Sequence, residues 1–510
     1  MKIDVLADRA RKGTAGATHH CDESAPARTR ESLRSAQSGE PVMNRREFLR
    51  LASASVLSGA PMLSGCASFS DQVGTSSPSA GASSDATRFS LQIAPVKLEL
   101  APKQIVQTIG YNGSAPGPLL RVKEGQRVTV DVRNDSDVPE LVHWHGLYVP
   151  SEVDGSMEEG TPMVAPGASR QYSFTAQPSG NRWYHSHAFA GNDLRRSLYS
   201  GQFGFFYIEP KNNPGNYDQE VFLAAHQWEP MFVSMQDIRK GPPPDNGLEV
   251  MYHAASFNDK ALGSGEPIWV KTGERVLFHL LNASATDDVT LALPAHVFQV
   301  IALDGNSVPN PRAVPVVTLA PAERIDAVVE MKQPGVWILG AVEDPMREMG
   351  MGVVVEYAGQ RGAPQWSKPQ SGNWDYTVFG TNTAHPEPDQ RINLVFEKIL
   401  GGHGGFNRWT INGKSWPDVD PLLVKQGQRY RITMENRSGD DHPVHFHRHT
   451  FELTRIGEKT TARILKDTVN VPRRQSVEID FVADDPGLTL YHCHMQLHMD
   501  FGFMGLMKYA

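Results

Sequence analysis

The chain of 510 residues has a globular composition, with 40% hydrophobic and 21% charged residues and a formal net charge of −8. Residues 1–66 hold ten Lys/Arg against seven Asp/Glu, so the rest is more acidic still, which excludes the basic field that a nucleic-acid partner requires. The length accommodates about three domains of ordinary size.

The N-terminus reads as an export signal. NRREFLR (Asn44–Arg50) carries a twin arginine, and the uncharged run Leu51–Leu63 after it is too short for a permanent membrane span but suits a signal core. LSGC (Leu63–Cys66) resembles a lipoprotein cleavage box with Cys66 as the lipid-bearing residue; the alternative is a small-residue cleavage site with an incidental Cys. Met43, just before the twin arginine, is an alternative start. The Ser-, Ala- and Gly-rich stretch from Cys66 to Ser84 reads as a tether. Residues 1–87 are therefore expected to be signal and tether, and the destination periplasmic or cell-envelope, with a lipid anchor at Cys66. Beyond Cys66 the only cysteine is Cys493, so the body forms no internal disulfide.

Three segments then repeat. VKEGQRVTVDVRN begins at Val122, VKTGERVLFHLLN at Val270 and VKQGQRYRITMEN at Val424. A second set keeps step at Val164, Leu319 and Val471, and a third (GNRWYHSH, GVWILGAV, GLTLYHCH) at Gly180, Gly335 and Gly487. Short alternating strands between Gly, Pro and Asn turns, without long helical periodicity, predict an antiparallel β-sandwich or barrel repeated three times. Boundaries fall near 88–212, 213–360 and 370–510, with 359–373 as a linker.

The histidines break this symmetry. His143 and His145, His185 and His187, His445 and His447, and His492 and His494 are four His-x-His pairs, all in the outer two repeats. On a strand, residues i and i+2 share a face and i+1 takes the other. Eight imidazoles can thus converge, which neutral nitrogens do only around metal ions. Cys493 faces away from His492 and His494, with His442 and His498 as its natural partners; a thiolate and two imidazoles form a blue-copper ligand set. A thiol used as small apolar filler is the plainer alternative.

Over about residues 88–510, with all four motifs in the family's order, the sequence resembles a three-domain multicopper oxidase, the family of laccases, ascorbate oxidase and bacterial copper oxidases. The resemblance implies an all-β fold of three tandem cupredoxin-like Greek-key β-barrels, the middle one without copper ligands. It implies four copper ions: type 1 at His442, Cys493 and His498, type 2 at His143 and His445, and a type 3 pair. One ion of that pair is implied at His145, His185 and His494, the other at His187, His447 and His492. One-electron donors would be oxidised at the first site, and four electrons would reduce dioxygen to two waters at the others.

Phe503 stands at the family's axial type 1 position and cannot coordinate. Asp154, in the matching stretch EVDG, is implied as the acid that feeds protons to oxygen; an ordinary Asp-Gly turn is the alternative. Gln496 and Met499 occupy the places where some relatives carry a second acid, and Asp500 is the carboxylate nearest to them in sequence.

The electron donor is less determined. Phe503 favours phenols and aromatic amines, as in a laccase. A metallo-oxidase of Cu(I) or Mn(II) is the alternative, with Asp440 and Asp441 placed to dock a cation. The Met346, Met349 and Met351 cluster aligns with strand residues of the other repeats and is expected in the core. A non-catalytic periplasmic copper store is a third reading, which oxygen consumption would exclude.

Overall fold

The computed structural model describes residues 86–211, 216–234, 247–369, 374–401 and 405–510. The export and lipidation signals therefore lie outside the described residues. Among those described, no helix is long and apolar enough to cross a membrane.

Six larger sheets account for almost all the structure. The first part of the chain forms two four-stranded sheets between Thr87 and Glu209. The middle part forms a six-stranded and a five-stranded sheet between Gln219 and Tyr357, and the last part repeats that arrangement in the same strand order between Gln390 and Tyr509. In each part the first long strand runs parallel to a later one, Thr87–Ala101 beside Arg127–Asn134, Gln219–Trp228 beside Arg275–Asn282, and Gln390–Ile399 beside Arg429–Asn436.

Alternation explains why these segments become two-layered strands. In Arg429–Asn436 (RYRITMEN), Tyr430, Ile432, Met434 and Asn436 are buried while their neighbours are half-buried. Each apolar side chain so buried contributes about 1.5–3 kcal/mol.

The Asn that ends each repeat of the first set does the same work three times. Asn134 Nδ2 donates to Val138 O at 2.7 Å and Val164 O at 2.8 Å. Asn282 Nδ2 donates to Asp287 O at 2.9 Å and Leu319 O at 2.8 Å, and Asn436 Nδ2 to Asp440 O at 2.8 Å and Val471 O at 3.0 Å. Each Oδ1 accepts from the backbone N–H of a serine two residues on, Ser136, Ser284 or Ser438. The clasp gives these backbone carbonyls a side-chain donor and ties the first repeated set to the start of the second.

Strands in equivalent positions carry different side chains. Val142–His145 and His442–Phe446 hold histidine pairs, whereas the middle part has Val289–Ala292 (VTLA) there. Likewise Gly180–Ser186 and Thr489–Cys493 correspond to Val336–Ala341 (VWILGA). Met351 is fully buried, and Met346 and Met349 pack against the same core.

Candidate metal centre

Strand pairing brings the histidines together. His143 lies opposite His185, and His445 opposite His492. All eight imidazoles of the four pairs are buried. The first and last parts of the chain interleave them: the His143 and His447 rings stack at 3.9 Å, and those of His145 and His445 at 3.7 Å.

The outward nitrogen of most rings is occupied by the protein. His143 Nδ1 donates to Asp154 O at 2.8 Å, His445 Nδ1 to Asp467 O at 2.8 Å, His185 Nδ1 to Ser186 O at 2.9 Å and His492 Nδ1 to Cys493 O at 2.9 Å. This fixes the tautomer and leaves the other nitrogen as a lone pair aimed inward. His187 Nε2 and His447 Nε2 approach His492 Nε2 at 3.3 Å and 3.1 Å. His143 Nε2, His445 Nε2 and both nitrogens of His494 are buried without a partner. His494 also lies 5.1 Å, ring to ring, from both His145 and His185.

Protonation does not relieve this crowding. Burial, and then the surrounding imidazoles, push His145, His187, His445 and His494 well below the usual 6.5. Orphaned, mutually facing lone pairs in a dry site cost several kcal/mol; cations among them remove that cost. The donor set therefore fits metal ions.

The second set lies on the other face of the same strand. Cys493 Sγ is 3.4 Å from His498 Nδ1 and 3.7 Å from His442 Nδ1, and those two nitrogens are 3.1 Å apart. His442 Nε2 is taken by Ser438 Oγ at 2.8 Å, which turns Nδ1 toward the sulfur. His498 comes from the short helix Gln496–Asp500 that follows the strand. Its ring stacks on Trp409 at 4.1 Å. Burial raises the Cys493 thiol well above its ordinary value; a bound cation reverses that, since a coordinating thiol is deprotonated outright. Phe503 is buried, with its ring 4.7 Å from that of His442 and 4.6 Å from that of Phe396, whereas Met504 packs elsewhere with Leu490 and Met499.

Asp154 sits beneath the histidine cluster. Its Oδ2 is 2.7 Å from His447 Nδ1 and 3.2 Å from His143 Nδ1, and its Oδ1 is buried without a partner. Burial alone would raise its pKa, but His143 and His447 hold it below the usual carboxylate range. Gly155 makes the approach possible: it has φ +101°, and a Cβ there would lie 2.5 Å from His143 Cα.

Two carboxylates that sequence reasoning missed also touch the cluster. Glu159 Oε2 is 2.9 Å from His447 Nδ1, and its Oε1 accepts from Leu490 N–H at 2.9 Å. Burial, and then Asp154, push its pKa well up. Asp467 Oδ1 lies 3.1 Å from His145 Nε2, and the Arg324 guanidinium grips both its oxygens at 2.7 and 2.5 Å. Neither belongs to a recurring motif; the one available signal was Glu159's place five residues after Asp154.

Asp500 is half-buried, its pKa pushed up to about 7 by desolvation, and accepts from Ala190 N–H, Gly191 N–H and Gln496 Nε2. Asp440 and Asp441 are both engaged. Asp440 pairs with Lys398 at 3.1 Å and accepts from Trp409 Nε1 at 3.1 Å, and Asp441 pairs with Arg473 at 3.3 Å.

Comparison with known proteins gives one answer along the chain. Family models described as multicopper oxidase match residues 92–213, 234–356 and 381–510. Among curated relatives, the multicopper oxidase MmcO of Mycobacterium tuberculosis is 28% identical over 81% of this chain and 85% of its own. The copper resistance protein A of Pseudomonas syringae pv. tomato is 23% identical over 82% and 91%. Among solved structures, a multi-copper oxidase from Pseudomonas thermotolerans superposes with TM-score 0.65 at 25% identity, covering 83% of this chain and 99% of that one. The chain belongs to the multicopper oxidase family and is an oxidoreductase.

Proposed function

We propose that the protein is a laccase-type oxidase that takes single electrons from phenols and aromatic amines and reduces dioxygen to two waters with four of them. The observation that carries this reading is the position of Cys493. Its sulfur faces His442 and His498 on one side of the strand, while its neighbours His492 and His494 belong to the histidine cluster on the other. A store for metal has no need of a covalent link between two unlike donor sets.

Four copper ions fit the donors. His442, Cys493 and His498 would hold type 1 copper, and His143 and His445 type 2. His145, His185 and His494 would hold one type 3 ion, and His187, His447 and His492 the other. Bound copper supplies one-electron redox chemistry at both sites. The chain's own residues do the rest. Asp154 Oδ1, buried and unpartnered, is the open oxygen of an ionised carboxylate and can take up a proton and relay it to reduced oxygen. Asp154 Oδ2 and Glu159 orient His447, and Asp467 orients His145 and His445. Phe503 lines the thiolate site with an apolar ring and offers no donor atom, which would favour a high potential for a bound copper and hence organic donors.

The twin-arginine stretch supports export to the periplasm or cell envelope, with Cys66 as lipid anchor. Oxidation of cuprous ions is a second reading, favoured by exposed thioethers at Met231 and Met251.

Metal analysis, visible spectra and oxygen uptake test the proposal. The wild type should carry four coppers per chain, be blue, and consume oxygen with a phenol. Cys493→Ser should lose the blue band and one copper, and its uptake should fall by a factor of about 10³ or more. A variant that stays blue would overturn the thiolate assignment.

A further inference from the structure

Backbone pairing locates the counterpart of the thiolate site in each repeat. His442 pairs with Val471, Cys493 pairs with Val444, and Cys493 N–H donates to Phe503 O at 3.2 Å. In the middle repeat Val289 pairs with Leu319, Ala341 pairs with Leu291, and Ala341 N–H donates to Met351 O at 3.0 Å. In the first repeat Glu140 bridges to Val164, Ser186 pairs with Val142, and Ser186 N–H donates to Gln202 O at 3.0 Å. Val164, Leu319 and Val471 are the equivalent residues that open the second repeated set. The places of His442, Cys493 and Phe503 are therefore held by Val289, Ala341 and Met351 in the middle repeat, and by Glu140, Ser186 and Gln202 in the first.

The middle repeat, without histidine pairs, fills the place with buried apolar side chains. The first repeat carries two such pairs, and there the place is polar although all three side chains are buried. Ser186 Oγ donates to Glu140 Oε2 at 2.8 Å and Gln202 Nε2 to Glu140 Oε1 at 3.2 Å, while Gln202 Oε1 has no partner. Both donors are neutral, and Arg196 pairs with Asp193 at 2.8 Å. Burial pushes the pKa of Glu140 up to about 7. A carboxyl group so placed carries a desolvation cost that the apolar filling of the middle repeat avoids.

Its effect falls on Ser186, which stands between His185 and His187. The Ser186 carbonyl accepts from His185 Nδ1 at 2.9 Å, and His185 Nε2 then lies 3.4 Å from His145 Nδ1. Glu140 is anchored in turn: its N–H donates to Val164 O at 3.0 Å, and its carbonyl accepts from Val164 N–H at 2.8 Å. We propose that Glu140 is a positioning residue of the histidine cluster: its carboxyl group, through the Ser186 hydroxyl, fixes the carbonyl that sets the tautomer and direction of the His185 ring. The consequence for copper rests on the ligand role proposed above for His185; the orientation of the ring does not.

The triple variant Glu140→Val with Ser186→Ala and Gln202→Met gives the first repeat the apolar filling of the middle one. Replacing buried polar groups by apolar ones is often neutral or stabilising, so its urea midpoint should match or exceed that of the wild type, and its blue band should persist. Its affinity for the cluster's copper ions, read as copper retained per chain against a chelator, should fall by about 10–100-fold. Ser186→Ala alone should show the same loss to a smaller degree, and carries the test if the triple variant does not fold. Glu140→Gln keeps an acceptor for the Ser186 hydroxyl and should recover most of the affinity. In the copper-free protein, nitrogen-15 spectra of the histidine rings should show His185 as one tautomer, protonated at Nδ1, in the wild type and as a mixture in Ser186→Ala. Wild-type copper retention together with an unchanged His185 signal in Ser186→Ala would overturn the positioning role. If the His185 signal changes as expected but the wild type binds fewer than four coppers, the positioning role stands and the ligand assignment falls.

Discussion

Two carboxylates compete for one nitrogen. Asp154 Oδ2 and Glu159 Oε2 both reach His447 Nδ1, at 2.7 and 2.9 Å, but only Asp154 also touches His143 and keeps an oxygen without a partner. Asp154→Asn preserves size and cannot relay a proton through a carboxylate. Anaerobic bleaching of the blue band by a donor should then proceed near the wild-type rate. Reoxidation by oxygen should slow by about 10², and the lag should lengthen as pH rises and protons grow scarce. Glu159→Gln should slow reoxidation less, because Glu159 spends its other oxygen on Leu490 N–H. Rapid-mixing measurements of both half-reactions decide the matter. Wild-type reoxidation in Asp154→Asn would make Asp154 a turn residue and return the search to Glu159.

The segment Thr489–Tyr509 shows how an element apportions side chains between two sites. The strand Thr489–Cys493 sends His492 one way and Cys493 the other, the helix Gln496–Asp500 swings His498 back to the sulfur, and the turn after it delivers Phe503. Phe503→Met would place a thioether where an apolar ring now packs, which stabilises oxidised copper. Redox titration should show a lower potential at unchanged copper content; an unchanged potential would mean that Phe503 does not occupy the axial position. Most of this segment was legible in the sequence, because the two-residue period of a strand fixes which histidines share a face. The triplicated strands were legible for the same reason, through apolar alternation and a recurring Asn. Glu159 and Asp467 were not: each enters the site through a tertiary contact between distant parts of the chain, with no spacing to announce it. The short helix under His498 escaped as well, since five residues carry too little periodicity to read.

At the scale of the whole molecule, the middle repeat, without histidine pairs, binds the outer two by buried charge. Arg324 of that repeat grips Asp467, which Arg182 of the first part also approaches at 3.4 Å. Lys466 closes on Asp304 and Glu323 at 3.0 and 3.1 Å. A second node, remote from the histidine cluster, offers a test free of metal. Buried His279 Nδ1 is 2.8 Å from Asp326 Oδ1, and its Nε2 is 3.7 Å from Glu220 Oε1. Asp326 also accepts from Asn181, and Glu220 pairs with Arg121, both in the first part of the chain. Burial alone would lower the pKa of His279, but Asp326 and Glu220 raise it to about 9, while Glu220, facing His279 and bonded to Arg121, is lowered to about 2. A histidine raised above 6.5 contributes stability that is fully present below that pH and is lost as pH climbs through 9. His279→Gln, neutral throughout, should therefore unfold at lower urea than wild type at pH 6, by about 3 kcal/mol. That gap should close progressively as pH rises from 6.5 through 9. A gap of constant size would assign the loss to packing and hydrogen bonding alone, and His279 would then be neutral in the folded protein, leaving Arg121 as the cation that joins the first repeat to the middle one at Glu220.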